Sequence, residues 1–155
     1  LLFAKCRIFD VLIGDWDRHE KQWAWSCDTV TRKCIPLPID RDMAFYDFRG
    51  GVVDALAGQI VPKFQSYEKA ITNLNGYLQN GAELHEELLF NLTKSQWEKV
   101  ASEIKFSLGS ENIAEAFQQY PPEVVGKYGP EHRDILMIRL EKVDSIAQFF
   151  YSSMH

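Results

Sequence analysis

The chain has 155 residues, the length of one domain able to bury a core of its own. Hydrophobic residues make up 46% and aromatics 13%, which excludes a disordered chain. A net charge of −5 argues against a general nucleic-acid binder, which needs a basic face, but leaves room for a small phosphate-bearing ligand held by local Arg and Lys.

The first element is a helix. In LLFAKCRIFDVLI, Leu2, Cys6, Phe9 and Ile13 fall on one helical face, and Gly14 supplies the residue that can end it at positive φ. The chain opens inside this helix without a methionine, so a piece of a longer protein is expected. A charged loop follows, GDWDRHEKQW. QWAWSCDTVTRKCIPLPID then reads as two short strands around a turn at Asp28 to Arg32. Pro36 and Pro38 make the second strand an edge strand, or one that leaves the ladder there. Gly50 and Gly51 mark a turn.

Helices are expected beyond it. Val52 to Ile60 suits a short one, broken by Pro62, and Asn73, Asn75 and Gly76 interrupt Tyr67 to Leu78. Gly81 to Leu92 carries Leu84, Leu88 and Leu92 at spacing four. Thr93 with Gln96 fits a capping box ahead of Trp97, Val100, Ala101, Ile104 and Leu108. Ser110 suits the cap of a helix with Ile113, Ala116 and Phe117 inside, and Pro121 and Pro122 break the pattern. Pro130 is expected in the first turn of a helix through Ile135, Ile138 and Leu140. Asp144 or Ser145 is expected to cap a last helix with Ile146, Phe149 and Phe150. His85 and His132 are expected at the surface, as is the run Glu83, Glu86, Glu87. The fold class is therefore mainly α with one short β-hairpin near the start: residues 1–48 carry the unusual chemistry, and 49–155 form a helical scaffold. No apolar run is long enough to span a bilayer.

Cys6, Cys27 and Cys34 lack metal-type spacing. Reduced thiols are expected, although a hairpin would bring Cys27 and Cys34 face to face. The carboxylates are more informative. Asp15 and Asp17 precede the hairpin, Asp40 and Asp42 follow it, and a hairpin brings its ends together. Carboxylates that close repel unless cations neutralise them. Arg18, Arg41 and His19 can do part of this, and a hard divalent ion such as Mg²⁺ or Mn²⁺ the rest. Trp16, Trp23 and Trp25 read as packing anchors.

Asp17-Arg18-His19, with Gln22 five positions after the aspartate and a strand ending in Asp40, resembles the catalytic and metal-binding loops of atypical kinases. Phosphatidylinositol kinases carry a D-R-H-x-x-N loop followed by a D-F-G aspartate. HipA-type, CotH-type and secretory casein kinases use related loops with a short hairpin between. Asp40-Arg-Asp-Met-Ala-Phe45 looks like a D-x-x-x-x-F form of the second loop. The resemblance covers residues 8 to 45 in motif and the helical remainder only in architecture, as a kinase C-terminal lobe. The chain is also similar to a bacterial family in which such a lobe ends a larger protein.

The resemblance implies that Asp17 is the catalytic aspartate that orients or deprotonates the attacking hydroxyl. It implies that Gln22, in the place of the metal-binding asparagine, and Asp40, the D-F-G aspartate, are metal ligands. Asp42 stands where glycine is usual and is a second ligand or a partner of Arg18 or Arg41. Asp15, Arg18, His19 and Arg41 organise the loops. The side chain of Gln22 is one methylene longer than the asparagine it stands for. No Gly-rich phosphate loop or nucleotide-pairing lysine precedes the site, so an upstream N-terminal lobe is expected to supply ATP binding, and these residues alone are not expected to transfer phosphate. A pseudokinase module that holds a cation without turnover, and a metal-dependent phosphohydrolase, are the competing readings.

Overall fold

The first helix is apolar on nearly every side, and such a helix is stable only when other elements cover it. A computed structural model, which describes residues 1–48 and 64–155, places it at the centre. Helix α1 (Leu2–Ile13) buries Phe3, Ala4, Ile8, Val11, Leu12 and Ile13. Each large apolar side chain buried here contributes on the order of 1.5–3 kcal/mol. Gly14 ends the helix as expected, at φ 77°, where a Cβ would also lie 2.7 Å from the Tyr67 ring. Arg139 donates to the carbonyl of Val11 at 2.8 Å, which places a cation at the negative end of the helix dipole.

The hairpin follows as strands β1 (Trp23–Cys27) and β2 (Cys34–Pro38), paired antiparallel with Trp23 opposite Pro38. As a two-stranded ribbon it tolerates both prolines of β2. Cys27 and Cys34 form a disulfide, which corrects the expectation of reduced thiols. The register sets them directly opposite, with Cα atoms 4.1 Å apart, and Cys6 remains free.

The helical remainder runs α2 (Leu74–Gln79), α3 (Ala82–Leu89), α4 (Lys94–Ser107), α5 (Ser110–Gln118), α6 (Pro122–Leu140) and α7 (Val143–Met154). With α1 this makes seven α-helices and one hairpin among the described residues, the mainly helical class read from the sequence. Helices α4 and α7 pack on each other and on α1, and the buried side chains form one apolar cluster. No helix among the described residues is long and apolar enough to cross a membrane. The helix expected at Val52 to Ile60, its break at Pro62 and the turn at Gly50 and Gly51 lie outside the described residues.

Local signals fix most boundaries. Thr93 and Gln96 form the capping box of α4, and Trp97, Val100, Ala101 and Ile104 face inward. Other expectations are corrected. Pro130 lies inside α6 and not in its first turn. The preceding Gly129 has no Cβ to collide with the proline ring, so the helix carries through. Ser110 is the first residue of α5, not its cap, and Lys142 precedes α7, with Asp144 in the first turn. In α3 the buried residues are His85 and Leu89, while Leu88 is exposed, because His85 meets an arginine of α1. His132 is half-buried between the rings of Phe45 and Tyr128, at 5.5 and 5.7 Å.

Candidate functional site

Within the apolar helix α1, Arg7 and Asp10 lie one turn apart and pair at 2.6 Å with both side chains fully buried. Buried charges are tolerated when hydrogen bonds satisfy them. Arg7 also donates to the Tyr77 carbonyl and to His85 Nε2, each at 2.8 Å. Asp10 accepts from Arg41 at 2.8 Å, and Arg41 reaches Asp15 at 3.3 Å. Arg18 completes the knot, with Nε 3.6 Å from Asp10 and 3.7 Å from Asp15.

Those two distances are too long for hydrogen bonds, and the firm bonds of Arg18 go elsewhere. Its Nη1 donates to the carbonyls of Ile39 at 2.7 Å and Asp40 at 2.5 Å, and its Nη2 to that of Gln22 at 2.8 Å. The Arg18 guanidinium also lies over the Trp23 ring at 4.7 Å. One buried side chain therefore ties both ends of the hairpin together. A backbone bond from Ile39 to Gln22 at 3.0 Å adds to this.

The electrostatics of the knot follow from its burial. Desolvation pushes the Asp15 carboxyl up to about 7, the nearby Asp10 charge adds to this, and Arg18 and Arg41 oppose it. Desolvation raises Asp10 as well, against the pull of Arg7, Arg41 and Arg18. The imidazole of His85 is driven down to about 3, first by burial and then by the charge of Arg7. It is held neutral, with Nε2 as an acceptor.

Above the knot lies the exposed edge. Gln22 and Asp40, 18 positions apart, bring amide Nε2 and carboxylate Oδ2 to 3.4 Å. The Asp42 amide approaches Asp40 Oδ1 at 3.4 Å, and both Asp40 and Asp42 face solvent. Asp40 has φ 55° and Phe45 has φ 60°, left-handed values that cost a non-glycine residue free energy. Each is held from outside the loop: Asp40 by Arg18, and Phe45 by a 2.8 Å bond to the Ile13 carbonyl and by the Tyr67 ring at 5.0 Å. Asp17, half-buried, accepts from Asn80 Nδ2 at 2.8 Å. His19 caps the 3₁₀ turn Glu20–Gln22 by accepting from the Lys21 amide at 3.2 Å.

The eight residues singled out in the sequence thus divide. Asp15, Arg18 and Arg41 belong to the buried knot, and His19 shapes the loop. Asp17, Gln22, Asp40 and Asp42 lie on its solvent side. Trp16 and Trp23 are buried anchors, whereas Trp25 is 41% exposed. Arg7, Asp10, Asn80 and His85 complete the site without having been singled out. The one local signal for them was a charged pair at helical spacing inside an apolar run.

Among the described residues, no three His, Cys, Asp or Glu side chains gather as a closed metal cage would require. Mg²⁺ commonly takes one or two carboxylates and fills the rest of its shell with water and substrate phosphate, so it needs no such cage. Asp40 is one exposed carboxylate, and the Gln22 group turned toward it is the amide nitrogen, a hydrogen-bond donor. No family model, no curated protein and no solved structure matches this chain.

Proposed function

We propose that the chain is the catalytic-loop lobe of a metal- and ATP-dependent, kinase-like phosphotransferase that works with an upstream nucleotide-binding lobe. The observation that carries this reading is the approach of Gln22 and Asp40 to 3.4 Å under the cross-brace of Arg18. The two positions that the resemblance makes metal ligands are neighbours, and the residue between Asp17 and His19 holds them so. In phosphoryl transfer the protein chiefly positions groups and stabilises charge, and a rigid buried brace under exposed ligands suits that work.

The division of labour follows. Asp17 orients the acceptor hydroxyl and takes its proton. Asp40 and Gln22 offer oxygens to Mg²⁺ or Mn²⁺, with Asp42 beside them. An ion held by these residues would supply positive charge to offset that of the phosphates. Arg41, clamped by Asp10 and Asp15, fixes the chain between Asp40 and Asp42. Beside the acidic edge, Ile35, Leu37 and Ile39 are 50%, 44% and 46% exposed. An apolar strand face next to a carboxylate edge suits a nucleotide, whose base is flat and apolar and whose phosphates need a cation.

A second reading, a pseudokinase module that holds a cation without turnover, is favoured by Gln22 itself, which stands where the resemblance puts the metal-binding asparagine. The complete protein, assayed for γ-phosphate transfer with Mn²⁺ and ATP, tests both. The enzyme reading expects Asp17→Ala to lose about 100-fold or more of the rate with its unfolding midpoint unchanged. Mn²⁺ binding that Asp40→Asn weakens, without any transfer by the wild type, would replace it with the pseudokinase. Mn²⁺ titrations identical for the wild type and Asp40→Asn would end both readings.

A further inference from the structure

Helix α2 ends one residue before Asn80, whose own backbone is still helical at φ −73°, ψ −7° and donates to the Gly76 carbonyl. The next residue, Gly81, passes so close to the charged loop that a Cβ there would lie 3.2 Å from the Arg18 carbonyl oxygen and 3.1 Å from His85 Nε2. The end of α2 is thus seated on the loop, which brings the adjoining Asn80 beside it. Its amide nitrogen makes two bonds of 2.8 Å, one to the Trp16 carbonyl and one to Asp17 Oδ1. Both partners accept, and an amide has two N–H groups on one side and none on the other. The orientation of the Asn80 amide follows without ambiguity.

From this juxtaposition we propose that Asn80 is a positioning residue of Asp17. One N–H holds the backbone at Trp16, and the other bonds the adjoining carboxylate. Such a bond narrows the rotation of the carboxylate about its last side-chain bond, and a proton acceptor held so spends more time aligned with the attacking hydroxyl. Asn80 stands 63 positions from Asp17 in the chain, so the helical scaffold takes part in the site. The inference rests on the kinase-like reading, in which Asp17 accepts that proton.

The test uses the complete protein with Mn²⁺ and ATP, following kcat, KM and thermal unfolding. Asn80→Ala is expected to lower kcat about 10- to 100-fold, while KM for ATP stays within about twofold and the unfolding midpoint within a few degrees. Asn80→Asp supplies a readout that a merely structural role would not move. At high pH it sets a second carboxylate against Asp17, which repels it. At lower pH the pair shares a proton, and residue 80 donates again. Its kcat relative to wild type is therefore expected to recover about tenfold or more between pH 8 and pH 6. A ratio that stays flat across that range sinks the inference, and this arm remains readable if Asn80→Ala unfolds. Wild-type kcat in Asn80→Ala alongside an inactive Asp17→Ala overturns the role of Asn80 and leaves the kinase-like reading standing. A wild-type rate in Asp17→Ala, or no transfer by the wild type, overturns both.

Discussion

Asp10 and Asp15 lie beneath the hairpin, and Asp40 and Asp42 lie on its solvent edge, within one short stretch of chain. The same side chain does different work in the two places. Below, each carboxylate is enclosed by guanidinium groups and its ionisation is displaced by burial. Above, Asp40 meets an amide and a backbone N–H, and the residue is exposed. Burial, more than residue type, sorts a run of charged residues into brace and candidate chemistry. Arg18 joins the two layers, since it faces the lower carboxylates and bonds the backbone carbonyls of Gln22 and Asp40 above.

The largest effect should come from breaking that link. Arg18→Met removes three bonds to carbonyls and leaves Asp10 and Asp15 short of a cation. Urea unfolding should show a loss of about 3–5 kcal/mol. A loss under about 1 kcal/mol would mean that the knot does not hold the hairpin. The upper layer should respond in the opposite way. Asp40→Asn is expected to weaken Mn²⁺ about tenfold or more by calorimetry while leaving stability within about 0.5 kcal/mol.

The pH dependence of stability separates the buried groups. The folded-state pKa of Asp15 is raised from 3.8 to about 7, so the native chain binds more protons than the unfolded one in that window. Stability contributed by Asp15 is full below the lower value and is lost as pH rises through the upper one. His85 works in the opposite sense. Its pKa falls from 6.5 to about 3, so its contribution is present above pH 6.5 and is lost as pH falls toward 3. Asp15→Asn should remove the decline toward neutrality, and His85→Gln should flatten the acid limb, in urea midpoints taken from pH 3.5 to 7.5. Curves parallel to wild type would place both groups outside the titration. The smallest effect belongs to the edge: Asp42→Ala should change stability by no more than about 0.5 kcal/mol in the same assay. A loss above about 1 kcal/mol would assign Asp42 to the brace.

Elements set by neighbours in sequence were legible in it. The helical span of α1, the stop at Gly14, the hairpin around Asp28 to Arg32 and the Thr93–Gln96 box all depend on residues a few positions apart. The face read for α1 is not the buried one, since Leu2 is exposed while Phe3, Ala4, Ile8 and Val11 are inside. What the sequence hid depends on pairings across the chain. His85 reads as a surface residue until Arg7, 78 positions away, gives it a buried partner. Arg7 and Asp10 vanish into an apolar pattern because each neutralises the other inside it. Cys27 and Cys34 are joined by a strand register that their spacing did not settle. Eight residues of the charged cluster could be named from the sequence, but Arg7, Asp10, Asn80 and His85 could not, nor could the division into buried and exposed layers, because exposure is decided by what packs above and below.

The disulfide at the far end of the hairpin has a practical corollary for handling the molecule. It lies on an exposed stretch, where dithiothreitol or glutathione can reach it. A preparation kept in strong reductant would carry three thiols in place of one, and the loop from Asp28 to Lys33 would lose its covalent clasp. Mass spectra of the alkylated chain, taken before and after reduction, would reveal which of the two molecules is in the tube.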